Sequence, residues 1–207
     1  MQPGLMAPLT VCCLNWNNYL GRGAEYVEKL RRGVDAHLTV PHTFVEVTEV
    51  DLPVGRKGWF NKLHLLELFD GDVFYLDLDV IVSGSLDRFV DIFRADKSRI
   101  WARDDWSYPV TNPRIGLEAT INSSVMLWSG RKDMGRLTQR MIDTTHGDQG
   151  IITQLFWPHG ISLLPGELVK SYKYDVGRGA PPGPVTVFHG QPKCHEVSDQ
   201  WVSECWR

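Results

Sequence analysis

Val73-Phe-Tyr-Leu-Asp-Leu-Asp-Val-Ile-Val82 is apolar except at two positions, and those two carry carboxylates. An apolar run of this length, preceded by the turn residues Gly71-Asp72, reads as a strand covered on both faces, the central strand of a parallel α/β sheet. Residues two apart in a strand point to the same side, so Asp77 and Asp79 are expected to aim into one small region. Taking one ionised carboxylate out of water costs several kcal/mol, and a second beside it adds repulsion unless a cation or a shared proton compensates. A divalent cation meets that need. The structural alternative, one Asp capping a turn and the other meeting an arginine, fits the uniformly apolar flanks less well. Oxygen ligands favour magnesium, manganese or calcium, and a histidine in the same shell would tilt the choice toward manganese.

Working outward from this strand, Leu9-Thr-Val-Cys-Cys-Leu14 is a short apolar strand ended by Asn15-Trp-Asn-Asn18. Tyr26, Val27, Leu30, Val34 and Leu38 recur at helical spacing, and Thr43 to Thr48 returns to strand. Strand, helix, strand is the opening of a parallel sheet. Helices are expected over Trp59–Phe69, Leu86–Phe93, Met134–Ile142 and Asp148–Phe156. Strands are expected over Arg99–Ala102, Ile121–Trp128 and Val185–His189, and loops over Ser107–Gly116 and Gly177–Pro184. The whole is an α/β fold, a mostly parallel central sheet flanked by helices.

With 207 residues, 43% of them hydrophobic, the chain can bury one substantial core, so 1–207 reads as a single domain with residues 1–8 as a flexible tail. A net charge of −3 gives no general attraction to nucleic acid, so any phosphate must be met by a local cluster of cations. No apolar run approaches the ~20 residues that span a bilayer, and the N-terminus has no export signal; a cytoplasmic protein without membrane insertion is expected. Cys12, Cys13, Cys194 and Cys205 are expected as reduced thiols, and Cys194, His195 and Cys205 near His189 have no zinc-finger spacing.

Asn61-Lys-Leu-His-Leu-Leu-Glu-Leu-Phe69, Val73 to Val80 and Leu86-Asp-Arg-Phe89 resemble, in order and spacing, glycosyltransferase family 8 and its relatives, glycogenin among them. Ile121-Asn-Ser-Ser-Val-Met-Leu127 is similar to the family's N-S-G-V segment, Gly147-Asp-Gln-Gly150 to its D-Q-G or D-Q-D segment, and Phe188-His-Gly-Gln-Pro-Lys193 to its closing histidine block. Together these blocks span most of the chain.

The resemblance implies a GT-A nucleotide-diphospho-sugar transferase fold, a nucleotide-sugar donor, usually UDP-linked, and transfer with retention to an unidentified acceptor. It implies Mn2+, with Mg2+ as the substitute, held by Asp77, Asp79 and His189. Asn15, Trp16, Asn17, Tyr19 and Leu78 would surround the nucleotide, and Lys62 and Lys193 would neutralise its phosphates. Asp77, Asn122, Ser123, Asp148 and Gly190 would meet the sugar, and Asp148, Gln149 and Lys62 would be the catalytic set, Asp148 as nucleophile, oxocarbenium stabiliser or hydrogen-bond partner. Three departures stand out. Lys193 comes sooner after His189 and precedes Cys194-His195 instead of Pro-Trp, Ser124 replaces a glycine, and Thr145-His146 replaces an acid and a glycine. Glycogenin's self-glucosylation therefore does not carry over.

Each assignment has a plainer counterpart. His189 reads as a buried strand-end histidine, Lys62 as a solvated charge, Asp148 as a helix cap, and Asn122 and Ser123 as turn residues needing buried partners. Trp59, Trp101 and Trp128 read as core, whereas Trp106 is a candidate for stacking on an acceptor. The competing functions are a non-catalytic nucleotide-sugar or carbohydrate-binding module, and a metal-dependent phosphodiesterase or nucleotidyltransferase.

Overall fold

The computed structural model describes residues 8–48, 58–112, 119–145 and 147–207. Residues 1–7 of the tail expected over 1–8, the end of the Ser107–Gly116 loop and His146 lie outside the described residues, as does the side chain of Trp59. The chain opens with β1 (Leu9–Asn15), α1 (Gly23–His37) and β2 (His42–Thr48), and β1 and β2 pair in parallel from Leu9↔His42 to Asn15↔Thr48. One face of α1, carrying Tyr26, Val27, Leu30 and Val34, is buried, while Glu28 and Arg32 pair one turn apart in solvent.

A turn of 3-10 helix, Gly58–Asn61, leads into α2 (Lys62–Leu68), which is followed by β3 (Asp72–Leu76) and β4 (Val80–Val82). Next come α3 (Asp87–Ala95), β5 (Ile100–Asp104), β6 (Ile121–Ser129), α4 (Gln139–Thr144), α5 (Gly147–Phe156), β7 (Ile161–Leu163), β8 (Val169–Ser171), β9 (Val185–Val187) and α6 (Gln200–Cys205). A six-stranded sheet has the order β2-β1-β3-β6-β5-β7, and β6 alone runs against the other five. β4, β9 and β8 form a second, three-stranded sheet.

The single strand expected over Val73–Val82 is two strands. Asp77 donates its backbone N–H to Ser124 O at 2.8 Å, extending the pairing with β6, and the chain then crosses to the other sheet, where Phe188 N–H donates to Asp79 O at 2.8 Å. Val80 to Val82 pair with Val187 to Val185. Both halves are buried, so the run is apolar on either side of the two aspartates. Hydrophobicity marks burial and does not mark a change of partner strand.

The alternation of side chains along the central strands fills two cores. Val11, Cys13, Phe74, Leu76, Val125 and Leu127 pack toward α1, α3 and the small sheet. Cys12, Val73, Tyr75, Met126 and Trp128 pack toward α2 and α5. Adjacent Cys12 and Cys13 thus face opposite sides, and all four cysteines are free thiols. α4 begins five residues later than its periodicity predicts, because Asp133 folds the preceding segment into a turn through Gly135 N–H and Thr138 Oγ1 caps the helix at Met141 N–H. β7, β8 and α6 escape sequence reading, being too short to show a period. No helix among the described residues is long and apolar enough to cross a membrane.

α1 lies close against β4: a Cβ on Gly33 would come within 3.1 Å of Val82 Cβ. Gly33→Leu is therefore expected to destabilise the protein by about 1–3 kcal/mol through overpacking, with Gly33→Ala milder, measured by urea unfolding.

Candidate functional site

A cavity of 540 Å³ opens beyond the carboxyl ends of β1 and β3, where open α/β sheets hold ligands. β1 and the turn after it contribute Leu14, Trp16 and Tyr19, and α2 contributes Lys62. β3 and the crossing segment contribute Tyr75, Asp77, Leu78 and Asp79, and β6 contributes Asn122, Ser123 and Ser124. α5 adds Asp148 and Gln149, and the segment after β9 adds His189, Gly190 and Lys193. The structure thus gathers the sequence-predicted residues around one space, except Asn15 and Asn17. Asn15 builds the turn instead, donating to Glu46 Oε1 at 2.7 Å and accepting from Tyr19 N–H at 3.1 Å. Asn17 and Asn18 both take left-handed backbone, which asparagine tolerates, and Asn18 Oδ1 accepts from Gly23 N–H at the start of α1.

Lys62 is not a solvated charge. It is buried, and its ammonium stands 2.9 Å from Asp77 Oδ1 and 3.3 Å from Asp148 Oδ2 while donating to Ser123 Oγ at 3.1 Å. Ser123 Oγ in turn donates to Asp148 Oδ2 at 2.6 Å. Burial favours a neutral amine, but Asp148 and Asp77 outweigh it and hold Lys62 above the ordinary lysine range. Burial likewise favours a protonated Asp77, and Lys62 and the Tyr75 hydroxyl outweigh it, so Asp77 lies below the ordinary carboxylate value. The polar residues that interrupt β6 are accounted for here: Ser123 joins this network, and Asn122 Oδ1 accepts from Ser124 N–H at 3.1 Å. Asp148 sits within the first turn of α5, where helix N–H groups favour negative charge.

Asp79 is compensated separately. Its Oδ2 accepts from the Lys193 ammonium and from the Tyr19 hydroxyl at 2.9 Å. Lys193 also donates to Phe188 O at 3.3 Å, and Glu196 Oε2 accepts its backbone N–H at 2.7 Å. Burial and the neighbouring Asp79 push the Tyr19 phenol well up, so it serves as a hydrogen-bond donor at any ordinary pH.

His189 is half-buried, and burial lowers its pKa against the opposing pull of Asp105 and Asp79, which keeps the imidazole neutral near pH 7. Its Nε2 lies 2.8 Å from Ser171 Oγ. Trp106, the candidate for stacking on an acceptor, already has partners within the protein. Its ring stacks on His189 with centroids 5.3 Å apart, the Arg103 guanidinium lies over it at 5.3 Å, and its Nε1 donates to Asp175 at 2.9 Å. Trp128 is fully buried as expected, and His195 pairs with the Tyr26 hydroxyl at 2.6 Å, away from any metal-like cluster. Sequence reasoning missed Leu14, Tyr75 and the Ser171 hydroxyl. The first two read as ordinary core residues, and the third lies in a three-residue strand.

Three carboxylates face two ammoniums in this cavity, an excess of negative charge that would repel a diphosphate unless a further cation entered with it. Asp77 and Asp79 are hard oxygen donors and His189 a neutral imidazole, a chemistry suited to magnesium or manganese. Among the described residues no three His, Cys, Asp or Glu side chains converge as a metal site, and each carboxylate of the Asp77-Leu78-Asp79 triplet is paired with a lysine.

Lys62→Met leaves two buried carboxylates without their shared cation and is expected to cost about 3–5 kcal/mol of stability. Because Asp77 is depressed in the folded state, its pairing stabilises fully above its unfolded pKa of about 3.9 and fades as pH falls through the lower folded value. The gap between wild type and Lys62→Met in urea unfolding should thus be widest at neutral pH and close below about pH 4.

No protein-family model and no curated protein sequence matches the chain. Solved structures do. Galactosyltransferase LgtC in complex with donor and acceptor sugar analogs aligns with a TM-score of 0.65 at 16% identity over 96% of each chain, and an active-site mutant of LgtC with 0.67 at 15% over 94% of this chain and 93% of its own. The glycosyltransferase GlyE of Streptococcus pneumoniae TIGR4 aligns with 0.64 at 16% over 94% of this chain and 56% of its own. With its mostly parallel sheet, flanking helices and cavity beyond the strand ends, the chain has the GT-A fold of these glycosyltransferases.

Proposed function

We propose that the protein is a metal-dependent glycosyltransferase related to family 8, moving a sugar from a nucleoside-diphosphate sugar, UDP-linked, to an acceptor with retention of configuration. The observation that carries this reading is the Lys62 ammonium held between Asp77 and Asp148 in a cavity that also contains Asp79 and Lys193. In such a transfer the leaving diphosphate gains negative charge as the anomeric carbon becomes cationic. Asp77 and Asp79 would hold the Mn2+ or Mg2+, which when bound supplies charge neutralisation at the diphosphate. Lys193, a compact point charge, reaches the same region and would meet a phosphate oxygen. Tyr19 and Trp16 offer rings for the base.

On the sugar side, Asp148 stands with Ser123 and Lys62 bound to its Oδ2. A carboxylate oxygen so engaged is a weakened nucleophile, which favours Asp148 as a stabiliser of the cationic sugar through its charge. Asn122, Ser123, Gln149 and Gly190 line the cavity alongside it and are the proposed hydrogen-bonding partners of the sugar. Gln149 Nε2 lies at the limit of hydrogen-bond reach from Asp105 and Thr120, at 3.5 and 3.4 Å, so little holds it from a ligand.

Incubating the protein with Mn2+ and a panel of UDP- and GDP-sugars should release nucleotide for at least one donor. Asp77→Asn and Asp79→Asn should each lower that rate about 100-fold or more, the several kcal/mol a bound cation contributes, with loss of metal-dependent donor binding. Absence of both binding and turnover with every donor would overturn the proposal, and tight binding of intact donor without transfer would leave a binding module in its place.

A further inference from the structure

His189 is held from behind by residues that no sequence motif picks out. Ser171, at the end of β8, has no exposed surface. Its backbone N–H donates to Asp175 Oδ2 at 2.8 Å, and its hydroxyl oxygen accepts from Tyr174 N–H at 3.1 Å. Asp175 Oδ2 also accepts the Trp106 indole N–H at 2.9 Å, and Tyr174 OH accepts from Ser107 Oγ at 2.7 Å. The hydroxyl is thus pinned in place within a network that ties β8 to the segment after β5. From this anchor it meets His189 Nε2 at 2.8 Å, while Trp106 and Tyr174 stack on the imidazole with ring planes inclined by 15° and 22°.

We infer that Ser171 is the positioning residue of His189 and that Nδ1 is the ring nitrogen His189 offers to a ligand in the cavity. An imidazole has two nitrogens, and the partner of one decides how the other is presented. Nε2 is taken by Ser171. Turning the ring to bring Nε2 into the cavity would break that bond and drive the imidazole through two stacked aromatic rings. What remains to face an incoming ligand is the edge whose one nitrogen is Nδ1. The stacked pair and the hydrogen bond act together: the rings set the plane of the imidazole, and the hydroxyl sets its rotation within that plane.

The identity of the ligand, a nucleoside diphosphate with its cation, rests on the proposed function; the orientation of the ring does not. The test is nitrogen NMR of protein labelled in its histidines, free and with Mg2+ and UDP, on wild type, Ser171→Ala and Ser171→Thr. In wild type, addition of Mg2+ and UDP should shift Nδ1 of His189 and leave Nε2 nearly unmoved. Ser171→Ala should move Nε2 in the free protein and weaken Mg2+-dependent UDP binding about 10-fold or more, and Ser171→Thr, which returns the hydroxyl, should restore both. His189→Asn, whose amide reaches the place of Nδ1, should bind UDP about 10-fold more tightly than His189→Gln, whose amide reaches the place of Nε2. A ligand-induced shift at Nε2 instead of Nδ1, or a Ser171→Ala protein with Nε2 unchanged, overturns the inference. Absence of UDP binding overturns the proposed function alone, since the response of Nε2 to Ser171→Ala is read without ligand.

Discussion

The Lys62 ammonium between Asp77 and Asp148 is the interaction on which the site depends. It joins α2, the end of the next element, β3, and the first turn of α5, much later in the chain, at one buried point. Paired ions out of water gain only when their geometry is good and their remaining hydrogen-bonding capacity is met. Ser123 and Tyr75 meet it, and Lys62 with the Tyr75 hydroxyl keeps Asp77 ionised where burial alone would protonate it. The same network that fixes these side chains sets the charge of the cavity they line.

The second constraint is the passage of the chain from one sheet to the other at Asp77-Leu78-Asp79. Asp77 is held by β6 through Ser124 O, and Asp79 by the end of β9 through Phe188 N–H. The triplet therefore spans a seam, with Leu78 buried in the core beneath it. Segments that carry site residues from the C-terminal third, His189 to Lys193, follow directly on the strand that pairs with β4. Sheet pairing at β4 and β9 is what brings Lys193 to Asp79 across more than a hundred residues.

These two features give the cavity a common logic. Every carboxylate has a cationic or hydroxyl partner, yet the carboxylates outnumber the ammoniums, so an anionic diphosphate is best received together with a cation. Lys62 is held by three partners at a buried point, and the aromatic and hydroxyl contacts around His189 are fixed as well. Charges and an imidazole held in place in this way are what the proposed transfer, in which charge moves from sugar to phosphate, would use.

Much of this was legible in the amino-acid sequence. Apolar periodicity placed α1, helices were expected close to where α3 and α5 lie, and the largely apolar run of Val73 to Val82 marked the buried centre. Carboxylates inside that run, polar Asn122 and Ser123 inside another, and the resemblance of ordered blocks pointed to the residues that line the cavity. These signals are local: burial and chemical type are written in the residue and its immediate neighbours. The break of the central run into two sheets, the burial of Lys62 between two acids, the engagement of Trp106 by His189, and the anchor at Ser171 were decided by tertiary structure alone. Each depends on which distant segment lies alongside, and a hydrogen bond or ion pair of a few ångströms leaves no trace in residues that stand fifteen to more than a hundred positions apart.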